Sequence, residues 1–137
     1  MNRLALPFAL VLALLSIARA QDKQAIPAGQ VAAAGYFEAL FTGNAKKATE
    51  LSAAPFSLDR VKVLQTIDEV AEIHDKIARD KGSRKLPPYT IAPTDKAPKL
   101  EAKVFPKYEA YRVSIGDEHI DIYVTKDDKP KVIGFSD

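Results

Sequence analysis

Residues 108–135 constrain this chain more than any other stretch, because their alternation fixes an inside and an outside for everything else. Apolar side chains fall on every second position, as Tyr111, Val113 and Ile115 and then as Ile120, Ile122 and Val124, which is the period of a half-buried strand. Gly116-Asp117 separates the two runs, and a glycine at the first central position suits a two-residue type II′ hairpin turn. That turn sets Val113 opposite Ile120 and Tyr111 opposite Ile122, with Arg112 facing Asp121 and Ser114 facing His119 on the other side. Charge pairing and apolar clustering therefore demand the same register. A second turn at Asp127-Asp128-Lys129-Pro130 predicts a third strand, with Ile133 opposite Val124 and Phe135 opposite Ile122.

The start of the chain reads as an address rather than as structure. A charged Asn2-Arg3, an apolar run from Leu4 to Ile17 and the small-x-small Ala18-Arg19-Ala20 have the layout of a secretory signal peptide over residues 1–20, cleaved before Gln21. The run is short for a membrane span, so no stable anchor is expected after cleavage, and the expected location is periplasmic or secreted. Cleavage removes Arg3 and Arg19 from the 20 basic residues and leaves them equal to the 18 acidic ones. The basic balance of the whole chain is then no argument for nucleic acid. With no cysteine, a disulfide framework, thiolate ligands and a cysteine nucleophile are excluded.

Residues 21–29 are expected to be a flexible lead-in, and residues 30–137 one domain. Val31, Ala34, Phe37, Leu40 and Phe41 at helical spacing predict a first helix, stopped by Gly43-Asn44. A second over residues 45–53 is closed by Pro55. Phe56, Leu58, Val61 and Val63 predict two short strands or one bent one. Thr66 with Glu69 has capping-box spacing and opens a third helix to Lys81, ended by Gly82. Its apolar stripe is Ile67, Val70, Ala71, His74, Ile77 and Ala78. The prolines at 87, 88, 93 and 98 forbid a helix or central strand there. Residues 89–91 are a possible edge strand, and 100–104 are expected to be the first full strand of the sheet. Helices followed by an antiparallel sheet with one apolar face make an α+β fold.

The run Tyr36-Phe37-Glu38-Ala39-Leu40-Phe41-Thr42-Gly43-Asn44, the short helix through Ala48 and Leu51, Pro55-Phe56-Ser57-Leu58-Asp59, and the closing Lys131-Val132-Ile133-Gly134-Phe135-Ser136-Asp137 resemble nuclear transport factor 2-like (NTF2-like) domains of the SnoaL-like, cystatin-like superfamily. The resemblance implies a half-barrel cone, with about three N-terminal helices packed on a curved antiparallel sheet and often a pocket between them. It also implies that the outer sheet face can serve as a homodimer contact. Family members include isomerases, dehydratases and small-molecule binders, so fold alone does not choose a function.

Within such a cone, Tyr36, Leu40, His74, Ile77, Tyr111 and Val113 are the candidate lining of a ligand site. His74, on an apolar helix face, is the one candidate general base, for an isomerase- or dehydratase-type enzyme; the bland alternative is a core histidine satisfied by a tyrosine or a carbonyl. In that bland case His74→Leu should be neutral or stabilising. Arg112, Ser114, His119, Asp121, Tyr123 and Ser136 form a polar set on the outer face, expected to be solvated or paired with a second copy. Two histidines without His-Glu-x-x-His spacing give no metal site, and no glycine-rich phosphate loop or Gly-x-Ser-x-Gly is present; no cofactor is expected. The leading expectation is a non-catalytic module binding a small apolar or amphipathic ligand in the cone, dimerising through its outer face, or both. The rivals are the His74 enzyme and an interaction protein whose cone is filled by Phe37, Phe41, Phe56 and Phe135.

Overall fold

The computed structural model describes residues 26–137; the expected signal peptide and most of the expected lead-in lie outside them. Three helices, α1 (Ala28–Phe41), α2 (Ala45–Glu50) and α3 (Ile67–Lys81), pack on one face of a curved six-stranded sheet. Its strands are β1 (Ser52–Leu58), β2 (Lys62–Leu64), β3 (Thr90–Pro93), β4 (Tyr108–Ile115), β5 (Glu118–Thr125) and β6 (Val132–Ser136), in the order β2-β1-β6-β5-β4-β3. The fold is α+β, as the element order predicts.

The β4–β5 hairpin has the predicted register, with Val113 facing Ile120, Tyr111 facing Ile122 and Arg112 facing Asp121. The β5–β6 register departs from expectation. Phe135 does face Ile122, but a bulge shifts the ladder so that Val132, not Ile133, faces Val124. The extra residue turns Ile133 to the outer face, where it is buried beside Tyr123. The sheet is also not wholly antiparallel, because β1 runs parallel to β6.

Helix α3 forms as its sequence dictates. The Thr66 hydroxyl accepts from the Glu69 amide at 3.2 Å, and the Glu69 carboxylate accepts in return from the Thr66 amide at 3.1 Å. Hydrogen bonds from the Gln65 amide first, and then from the Thr66 amide, hold the Glu69 carboxyl below its usual range. By contrast, α1 is apolar on nearly every side, so its pattern does not fix a face. Its buried residues are Gly29, Ala33, Tyr36, Phe37 and Ala39, while Val31 points outward at 61% exposure. Tyr36 is central to the buried face.

Two expected elements change character. Helix α2, capped by the Asn44 side chain on the Lys47 amide at 3.1 Å, stops at Glu50 instead of reaching residue 53. The next carbonyl, that of Leu51, accepts from the Val132 amide at 2.8 Å and draws the chain into the sheet, so Pro55 lies inside β1. Proline offers no ladder donor, and the β1–β6 register shifts across it, between Ser52 and Ser57.

The strand expected over 100–104 does not form, since the edge of β4 is already taken by β3. Residues 94–107 instead cross the outer face as a strap. Leu100 and Phe105 are buried in a small second core with Tyr123 and Ile133. The Tyr123 hydroxyl donates to the Pro98 carbonyl, and the Tyr108 hydroxyl accepts from the Leu100 amide at 2.9 Å. No helix among the described residues is long and apolar enough to cross a membrane.

Where β6 passes β1, a Cβ placed on Gly134 would stand 2.6 Å from the Ser57 carbonyl oxygen and 2.9 Å from its Cβ. Both neighbours belong to the sheet and cannot give way. Gly134→Ala should therefore destabilise the protein by about 1–3 kcal/mol or more, as overpacking does, measured as a lower urea midpoint. The same change at Gly82, with nothing within 4 Å but a φ of +70°, should cost only about 1 kcal/mol.

Candidate functional site

The deepest polar group in the fold is His74, placed on the buried stripe of α3 by the spacing that starts at Val70. Its Nε2 shares a 2.9 Å hydrogen bond with the hydroxyl of Tyr36 on α1, and its Nδ1 shares one of 2.8 Å with the hydroxyl of Thr49 on α2. The Phe56 ring stands edge-on to it, with centroids 5.9 Å apart. His74 and Tyr36 are both wholly buried. Neutral imidazole has one N–H donor and one acceptor nitrogen, so two hydroxyls satisfy it completely.

Burial pushes the His74 pKa down to about 4, against a smaller upward pull from Asp75, and it drives the Tyr36 hydroxyl well above the ordinary tyrosine range. Both groups are neutral near pH 7. A general base needs a lone pair that substrate can reach, and here both nitrogens are spent on the protein's own hydroxyls. The arrangement matches the core-histidine reading, with Thr49 as a second partner that no sequence pattern announced.

The six candidate lining residues separate. Tyr36, His74, Tyr111 and Val113 belong to one packed core with Phe56, Val70 and Ile122, while Leu40 packs against its margin and Ile77 is half-buried on α3. Phe37 and Phe56 are buried in that core, with Phe41 and Phe135 packed against it. Open space lies instead in clefts at the surface, two of them at opposite ends of β4.

One cleft, of about 520 Å³, opens beyond the last turn of α3. Val113, Ile115 and Ile120 form its floor, and Lys81, Arg84 and His119 stand on its rim with the acids Asp117, Glu118 and Asp137. Arg84 is held there by stacking its guanidinium 3.9 Å over the Phe41 ring. The other cleft, of about 400 Å³, lies between the start of α1, the strap and the beginning of β4, and Tyr111 and Glu109 line it. Sequence reasoning missed Glu109, although a signal was there: the hairpin register pairs it with Val124 and so puts a carboxylate on the inner face.

The outer-face set also divides. The Arg112 guanidinium donates to both oxygens of Asp121, at 2.7 and 3.0 Å, and this bidentate pair raises the arginine pKa further. Asp121, Tyr123 and Ser136 are buried, which corrects the expectation of a solvated face. Burial, with the Asp121 charge second, pushes the Tyr123 hydroxyl up to about 12. Arg112 and Ser114 are half-buried, and His119 is exposed. Among the described residues, no group of three or more histidine, aspartate or glutamate side chains could hold a metal ion.

Two outcomes follow from the His74 environment. Because its pKa is depressed in the folded state, the unfolded chain takes up a proton first as pH falls. Stability should be full above about pH 6.5 and drop toward pH 4, by at most about 3 kcal/mol, in denaturant titrations across that range. His74→Leu strands the buried Tyr36 hydroxyl and should cost about 1–3 kcal/mol, the reverse of the neutral-or-stabilising outcome expected from sequence. Adding Tyr36→Phe should recover most of the loss, a coupling that a double-mutant cycle measures.

Comparisons with known proteins give a likeness of shape only. No family model matches the chain, and no curated protein matches it. Among solved structures it is similar to a domain of unknown function with a cystatin-like fold from Nostoc punctiforme, with a TM-score of 0.41 and 15% identity over 78% of this chain and 72% of that one.

Proposed function

We propose that this chain is a secreted or periplasmic NTF2-like module that performs no catalysis and binds a small amphipathic molecule at the open end of its cone. One observation carries the reading: helix α3 ends at Lys81 while the inner face of the β4–β5 hairpin continues, so Ile115 and Ile120 are left only half-covered in a cleft of about 520 Å³. An apolar floor ringed by charged groups of both signs, Lys81 and Arg84 with Asp117, Glu118 and Asp137, at a volume within the ~300–1,000 Å³ of small-molecule sites, suits a ligand with an apolar body and a polar end. The site lies above the packed core, so of the six residues expected to line the cone only Val113 reaches it. The closed Tyr36–His74–Thr49 chain argues against the enzyme reading.

Titration with anilinonaphthalene sulfonate should give saturable fluorescence from the native protein at neutral pH. Ile120→Glu should weaken this at least about tenfold, since a carboxylate buried against an apolar ligand is costly, while the far-ultraviolet circular dichroism stays unchanged. Binding that survives Ile120→Glu, or no saturable binding, would overturn the proposal and favour a module acting through surface contacts alone.

A further inference from the structure

We propose that the outward face of α1 is an interface between two copies of this chain, whose helices cross antiparallel over Ala34. The starting observation is a helix without a solvent side. Of its 14 residues only Glu38 is charged, whereas α3 turns Asp68, Glu72, Asp75, Lys76, Arg79 and Asp80 to water. A helix that is apolar on every side belongs in an interior, yet α1 meets the core on one side only. Val31 stands out from its other side, and Ile26, just before its start, is exposed as well. Between α1 and the edge strand β3 runs a cleft of about 390 Å³, with Ile26, Val31, Ala34, Gly35 and Ile91 as its apolar lining and Gln30 and Glu38 as its polar ends.

This face is its own complement. With a two-fold axis at Ala34, each residue of one helix lies over the residue equally far to the other side of Ala34 in its partner. Glu38 of one copy then falls on Gln30 of the other, and the pairing occurs twice. An amide N–H donates to a carboxylate, and Glu38 has one oxygen engaged by the Tyr89 hydroxyl and the other left for a further donor. The same rotation carries Val31 to the level of Phe37, which is buried with its ring against Tyr89 just before β3. Val31 of each copy therefore enters the cleft between α1 and β3 of the other. Ala34 and Gly35 carry little bulk where the helices cross, so the rows of residues four apart can interdigitate.

The other candidate covers are weaker. The apolar part of the outer sheet face, where a second copy was expected to sit, is already filled by the strap, with Leu100 and Phe105 packed on Tyr123 and Ile133. The apolar run from Leu4 to Ile17 is expected to leave with the signal peptide and so gives α1 no lasting cover. A contact between identical patches needs each donor, acceptor, ridge and groove to find its counterpart after rotation. One amide, one carboxylate, one valine and one cleft meet that requirement about a single small residue.

Sedimentation of the chain from Gln21 to Asp137, which holds every described residue, should show a monomer–dimer equilibrium at micromolar concentrations. Val31→Glu sets a carboxylate in the partner's apolar cleft and should weaken dimerisation at least about tenfold, with the far-ultraviolet circular dichroism unchanged. Gln30→Lys meets Glu38 of the other copy with an opposite charge and should tighten it about twofold or more. Val104→Glu, exposed on the strap, should have no effect. Because the chain has no cysteine, Ala34→Cys adds a second readout: on the axis it should cross-link to its own copy under diamide, where Val104→Cys does not. That readout keeps the test decisive if Val31→Glu folds poorly. A monomer at every concentration, a dimer undisturbed by Val31→Glu or lost with Val104→Glu, no tightening by Gln30→Lys, or no preferential cross-linking of Ala34→Cys would overturn the proposal.

Discussion

A single imidazole joins all three helices. Tyr36 comes from α1, Thr49 from α2 and His74 from α3, and their two hydrogen bonds are the polar contacts at the centre of an otherwise apolar core. Apolar packing is non-directional, and α1 in particular offers apolar groups on nearly all sides. A buried hydroxyl that needs one particular nitrogen removes that freedom and sets which face of α1 turns inward. The same low-dielectric surroundings that make these bonds directional make them costly to leave unmade, so the histidine is committed to architecture.

How much of this was legible in the sequence depends on how local the determining physics is. The β4–β5 register and the capping of α3 are settled by residues a few positions apart, through turn geometry and a side chain reaching its own helix end. Both could be read directly. The strap could not: whether residues 100–104 form a strand depends on whether the β4 edge is vacant, and β3 fills it from elsewhere in the chain. The inward face of α1 was equally hidden, because Tyr36 is chosen by a histidine 38 residues away. Of the candidate lining residues, the apolar ones were recognised as inward-facing, but inward-facing here means packed against other side chains, and the open space lies where elements end.

The strap and the end of α3 together place both clefts. The strap closes the outer face over Tyr123 and Ile133, and its first residues then form one wall of the Glu109 cleft. At the far end, α3 stops before the sheet does, and the uncovered isoleucines form the floor of the other. The two openings differ in lining as well as position, one with an apolar floor under exposed charges of both signs and the other with a half-buried acid. Between them lies the packed core.

The strand order carries a consequence for how the molecule comes into being. The last strand, β6, sits in the middle of the sheet, bonded to β1 on one side and to β5 on the other. The β1–β2 hairpin therefore has no sheet to join until residues 132–136 are available, and without them the helices that lie over it have no complete floor. Residues 132–136 are thus the piece that turns two half-sheets into one.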